Sequence, residues 1–129
     1  MNGLVLFAHG ARDPRWAAPF EALALRLATR CPTLPVRLAY LELMAPTLDE
    51  AAAALVQRGC TQVTVLPMFL GAGGHVRRDL PEQLARLQVA HPTTTFTASE
   101  VLGEMPEMLD AMASAIAVRF DEPRPPAER

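Results

Sequence analysis

The sequence predicts an α/β fold: a four-stranded parallel sheet, doubly wound, with helices on both faces. Three observations lead there. Short apolar runs of strand length alternate with segments of helical period, and such alternation forces right-handed crossovers and hence a parallel sheet covered on both sides. Turn and cap signals punctuate each change of period. At 129 residues, half of them hydrophobic and a fifth charged, the chain has the size and composition of one packed domain.

Gly3 to Ala8 (GLVLFA) is a nearly continuous apolar run, as expected of a strand buried on both faces. From Trp16 the period changes, and Phe20, Leu23, Ala24, Leu27 and Ala28 form one helical stripe that ends before Pro32. Val36 to Leu41 (VRLAYL) reads as the second strand, with Val, Leu and Tyr at alternate positions. Thr47 and Glu50 have capping-box spacing, so a second helix runs from Leu48 to Arg58, with Gly59 as its left-handed stop. Gln62 to Pro67 (QVTVLP) is a third, β-branched strand. Asp79 and Glu82 repeat the cap spacing with Pro81 in the first turn, which predicts a third helix over Leu80 to Val89 with Leu80, Leu84 and Leu87 inward. Thr94 to Ala98 is a weaker fourth strand, and Leu109, Met112, Ile116 and Phe120 are expected to form the inner face of a fourth helix.

The domain is expected to span residues 1–120, with a charged, Pro-rich tail over 121–129 that is expected to be disordered. A net charge of −2 gives no general attraction to nucleic acid or to an anionic membrane, so neither is expected as a partner. No apolar stretch is long enough to cross a bilayer, and the first residues lack the pattern of a signal peptide; a cytoplasmic location is the expectation. Cys31 and Cys60 form no C-x-x-C pair and read as reduced, packed thiols.

In the common strand order 2-1-3-4, the first and third strands are neighbours, and the reversal of winding between them opens a crevice at their carboxyl ends. His9 directly follows the first strand. His75 lies in the loop Met68 to Arg78 (MFLGAGGHVRR) after the third, so both histidines belong to that crevice. Two imidazoles can hold one borderline divalent metal while leaving its coordination shell incomplete, as suits a metal that is handed on. Glu42 follows the second strand at the same edge, as a third oxygen ligand or proton acceptor, or as a plain solvated carboxylate. His91, in a turn at the opposite end of the sheet, reads as structural.

The glycines of Leu70-Gly71-Ala72-Gly73-Gly74 allow close approach of a ligand to backbone amides. Neither Walker-type nor dinucleotide-type glycine spacing is present, and small residues there serve equally as a floor for a flat ring. Arg12, Arg77 and Arg78 flank the histidines and suit a ligand bearing several carboxylates, or are ordinary surface arginines.

With His9-Gly10-Ala11-Arg12-Asp13-Pro14 after the first strand, Glu42 through Pro46 after the second, and Pro67-Met68-Phe69-Leu70 leading to Gly74-His75 and Arg78-Asp79-Leu80-Pro81, the sequence resembles the short sirohydrochlorin chelatases. These are the small cobaltochelatases and ferrochelatases of cobalamin and sirohaem synthesis, within the class II chelatases. The resemblance covers nearly the whole chain before the tail and rests on the order and spacing of three motifs. It implies a chelatase-like fold, homodimers in which each subunit resembles half of a two-lobed enzyme, and a tetrapyrrole held in the cleft. It also implies no requirement for ATP and no cofactor beyond the divalent metal substrate (Co2+, Fe2+ or Ni2+). The family's metal-binding histidines fall on His9 and His75, the first also its proposed proton acceptor, and its glycine-rich substrate loop falls on Leu70 to Gly74. Relatives often carry a second carboxylate at the substrate-facing position of Ala45, and commonly Ser at Ala11, which leaves Glu42 as the main acidic candidate.

Metallation requires loss of two pyrrole protons and delivery of a partly dehydrated cation, and an imidazole, with an ordinary pKa of about 6.5, can act as ligand or base near neutrality. His9 and His75 are therefore expected to present the metal, with the arginines gripping peripheral carboxylates. A non-catalytic carrier of metal or tetrapyrrole would use the same residues. A histidine phosphatase would require Arg ahead of His9, where this chain has Ala8.

Overall fold

A computed structural model describes residues 1–71 and 73–121, with positions 75–77 described by their backbone alone. Four strands, β1 (Asn2–Ala8), β2 (Val36–Tyr40), β3 (Gln62–Pro67) and β4 (Thr95–Ala98), form one sheet in the order β2-β1-β3-β4. All pairings are parallel, with Leu6 opposite both Leu38 and Leu66. The helices α1 (Ala18–Arg30), α2 (Leu48–Gln57) and α3 (Gly74–Ala90) connect successive strands, and α4 (Pro106–Phe120) follows β4. Right-handed crossovers, first toward β2 and then back past β1, place α1 on one face and α2 and α3 on the other.

The alternation within the strands divides the core accordingly. Val5, Phe7, Ala39, Val63, Val65 and Phe96 pack under Leu48, Ala51, Ala52 and Leu55 of α2 and Leu80, Leu84 and Leu87 of α3. Burying each such large aliphatic or aromatic side chain stabilises the fold by about 1.5–3 kcal/mol. The other face is thinner: Ala8, Ala17 and Tyr40 are buried beneath Trp16, Phe20, Leu38, Met44 and Met68. No α1 residue is fully buried; Phe20, Leu23, Ala24 and Leu27 are half-buried, and Ala28 is exposed.

Two expectations fail. The first concerns α3, which begins at Gly74 rather than Leu80, so that Pro81 lies inside it and the Asp79–Glu82 spacing is not its cap. Proline forfeits one backbone hydrogen bond, but Leu80 and Leu87 anchor the helix to the core on both sides of that defect, and tertiary packing overrides the local stop signal. The segment 68–78 is thus part loop, part helix. The second concerns α4: of its expected stripe Leu109, Ile116 and Phe120 face outward, at 51%, 57% and 81% exposure, and Met112 is half-buried, while the helix packs mainly on a 3-10 turn, η2 (Leu102–Glu104), rather than on the sheet. Smaller differences are a 3-10 turn, η1 (Pro14–Ala17), ahead of α1 and shifts of one residue at three strand ends. The tail expectation, Asp121 apart, lies outside the described residues.

Cys60 is buried and Cys31 half-buried, both as free thiols. His91 caps the end of α3, its ring against Phe96, at the edge of the sheet opposite His9. Among the described residues no helix is long and apolar enough to cross a membrane.

Candidate functional site

The carboxyl edge of β1 and β2 builds the first half of the site. Their parallel ladder continues one step past the strands, with the Leu41 N–H donating to Ala8 O at 2.9 Å and the Glu42 N–H to His9 O at 3.1 Å. That register sets the two side chains next to each other. His9 Nε2 and Glu42 Oε1 are 2.9 Å apart, with 56% and 55% of the side chains exposed. An ionised carboxylate can only accept, so an imidazole in its neutral form donates here from Nε2 and keeps its lone pair on Nδ1. Glu42 therefore orients His9 and selects its tautomer, the arrangement commonly found behind metal-ligating histidines.

Local backbone makes this pairing possible. Gly10 has φ +94°, and a Cβ there would overlap the carbonyl oxygen of Glu42. Leu43, the next residue after Glu42, is held at φ +67° and is 56% exposed. A left-handed leucine costs about 1–2 kcal/mol, and such strain concentrates at functional sites. Asp13 caps η1, accepting from the Arg15 guanidinium and the Arg15 amide. The Arg15 guanidinium first, and its backbone N–H second, hold the Asp13 carboxyl below the ordinary carboxylate range.

The second half of the site follows β3. The Met68 N–H donates to Phe7 O at 2.7 Å, so the segment leaving β3 runs beside the end of β1. Leu70 is 74% exposed, Gly71, Gly73 and Gly74 are exposed, and Ala72 lies outside the described residues. The backbone of His75 stands in the first turn of α3, at the same edge as His9. Its side chain and that of Arg77 lie outside the described residues, and so does the meeting of the two imidazoles. Arg78 folds back on the helix start, its Nε donating to Gly74 O at 3.4 Å. Arg12 is exposed and makes no ion pair among the described residues, and Ala45 is exposed in the loop that carries Glu42. Among the described residues no three His, Cys, Asp or Glu side chains converge.

Leu43 and Gly103 were not singled out from the sequence. Gly103, in η2, is buried against the backbone of Leu70, and only the folded chain brings these positions together. A cavity of about 90 Å³ lined by Phe7, Tyr40, Leu48, Asp49, Gln83 and Arg86 lies under α2 and α3 and includes neither His9 nor Glu42.

Comparison with known proteins gives the family. A sirohydrochlorin cobaltochelatase of Sulfolobus acidocaldarius is 35% identical over 98 residues, covering 71% of this chain and 78% of that protein. A sirohydrochlorin ferrochelatase of Bacillus subtilis is 28% identical over 113 residues; the match covers 86% of this chain but only 42% of that protein. The crystal structure of a putative cobalamin biosynthesis CbiX protein from Marinobacter aquaeolei superposes with a TM-score of 0.80 at 31% identity, over 94% of this chain and 98% of the other. The CbiX family model matches residues 3–118, nearly the whole described chain, and the protein belongs to the CbiX family.

Proposed function

We propose that this protein is a sirohydrochlorin chelatase, which inserts Co2+ or Fe2+ into the tetrapyrrole without ATP, in the cytoplasm, as a homodimer. The observation that carries the reading is the His9–Glu42 pair at the open carboxyl edge of the sheet. The names of the cobaltochelatase and ferrochelatase relatives support the substrate class.

Insertion exchanges two pyrrole N–H protons for one divalent cation. Each pyrrole nitrogen that loses a proton turns its lone pair to the metal, so the overall charge balances. His9 is suited to the first part of this exchange: with Nε2 donating to Glu42, Nδ1 offers its lone pair as a metal ligand or as acceptor of a pyrrole proton. His75, at the start of α3, supplies the partner imidazole of the same edge. Glu42 stabilises the imidazolium formed when His9 takes up a proton. The exposed glycines after Leu70 give a flat ring close access to the backbone, and Arg12, Arg77 and Arg78 pair with its peripheral carboxylates.

The homodimer reading is supported by α4. No residue of this helix is buried, its apolar stripe faces outward, and the chain matches less than half of the Bacillus subtilis relative. A second copy packed on that stripe supplies the missing lobe and closes a cleft around the ring.

The test is a spectrophotometric assay of purified protein with sirohydrochlorin and excess Co2+ or Fe2+. Multiple turnovers are expected from the wild type, whereas His9→Ala and His75→Ala are each expected to lose insertion while keeping native circular dichroism. Near-normal rates in both variants overturn the assignment of the site, and a wild-type reaction that stops at one equivalent identifies a carrier.

A further inference from the structure

The loop that receives the ring is fastened by a residue more than thirty positions away in the chain. Gly103 is buried in η2, and its N–H donates to Phe69 O at 2.8 Å. A Cβ at position 103 would overlap the Leu70 backbone at Cα, C and O together, three atoms that no rotamer change can move aside. Phe69 is held from its other side by an edge-on contact with Phe7, the ring centroids 6.4 Å apart. The backbone at 69–70 is therefore clamped between β1 and η2, while Leu70 as a residue stays 74% exposed.

The glycines beyond the clamp behave differently. Among the described residues an added Cβ at Gly71, Gly73 or Gly74 meets nothing within 4 Å, so their packing does not require glycine there. They leave that surface open to approach from outside, and Gly103 sets the point from which that loop departs. From these contacts we propose that Gly103 is a positioning residue of the tetrapyrrole site: it fixes the stem of the Leu70–Gly74 loop and so governs affinity for the ring, leaving the proton and metal chemistry at His9 unaltered. The inference rests on the chelatase reading above.

The experiment compares wild type and Gly103→Ala in steady-state metallation of sirohydrochlorin with Co2+, alongside thermal melting. The expected result is a KM for sirohydrochlorin raised about tenfold or more with kcat changed by less than about threefold, the signature of lost substrate binding. A merely structural role would lower the melting temperature and the active fraction, and so kcat, while leaving KM in place. A folded variant with unchanged KM overturns the proposal and leaves the chelatase reading standing; a wild type without turnover overturns both. Should Gly103→Ala not fold, hydrogen exchange of the wild type decides. On addition of metal-free sirohydrochlorin, the Gly103 amide is expected to slow together with those of Leu70 and Gly71. Slowing at the loop without any at Gly103 overturns the proposal.

Discussion

At the scale of single residues, the proposed site rests on a short polar contact set up by backbone register. Glu42 is more than half exposed, so its contribution lies in what it does to His9 rather than in stability. Glu42→Gln is the discriminating substitution: the amide can donate as well as accept, so the preference for a proton on Nε2 disappears. Insertion is expected to slow by about 10–100-fold, the usual cost of removing a partner behind a ligating histidine. Initial rates with Co2+, set beside an unchanged circular dichroism spectrum, check this, and an unaltered rate separates Glu42 from the mechanism. The places of His9, Glu42 and the glycine run were legible from the sequence, because each lies within a few residues of a recognisable strand end. Leu43 and Gly103 were not. A positive φ at leucine and a contact between backbones far apart in the chain leave no local mark, since neither depends on the type of the neighbouring residues.

At the scale of elements, the local signals divide into those that act alone and those that compete. The Thr47–Glu50 box acts alone: the Glu50 N–H donates to Thr47 Oγ1 at 3.2 Å, and the Thr47 N–H donates to Glu50 Oε1 at 2.8 Å. Thr47→Ala is accordingly expected to cost about 1 kcal/mol in urea denaturation, with α2 otherwise intact. A loss near zero would mean that packing of Leu48 and Leu55 alone sets the start of this helix. At α3 the Asp79–Glu82 spacing and Pro81 signal a start that the helix does not take: it runs on from Gly74, and Leu80 and Leu87, buried on either side of the proline, hold it in place. Gln88 shows another role that a helix stripe conceals. Its side-chain amide donates to Thr94 O at 2.6 Å and accepts from the Phe96 N–H at 3.3 Å, sealing the open side of the edge strand β4. An exposed strand edge invites pairing with other chains, and a glutamine bridge from the covering helix satisfies it internally.

At the scale of the whole molecule, the sheet is well covered on one face and thinly on the other, and α4 carries an apolar stripe that its own domain does not use. Charging the centre of that stripe tests the pairing of copies: Ile116→Glu is expected to halve the mass seen by light scattering and to abolish insertion, with little change in the melting of the separated subunit, because Ile116 is already 57% exposed in the single chain. An undiminished mass would move the interface elsewhere. By itself the sequence determined the α/β class, the α2 cap, the buried leucines of α3 and, given the common strand order, the sheet edge on which His9 and Glu42 lie. Periodicity, capping and crossover handedness are local or topological rules, and they act before any particular packing is chosen. Only the tertiary structure decided where α3 begins, that α4 turns its stripe away from the sheet, that His9 points Nε2 at Glu42, and that Gly103 clamps Leu70. Each of these is a competition between contacts that are equally available to the unfolded chain, and it is resolved only when distant segments exclude one another in space.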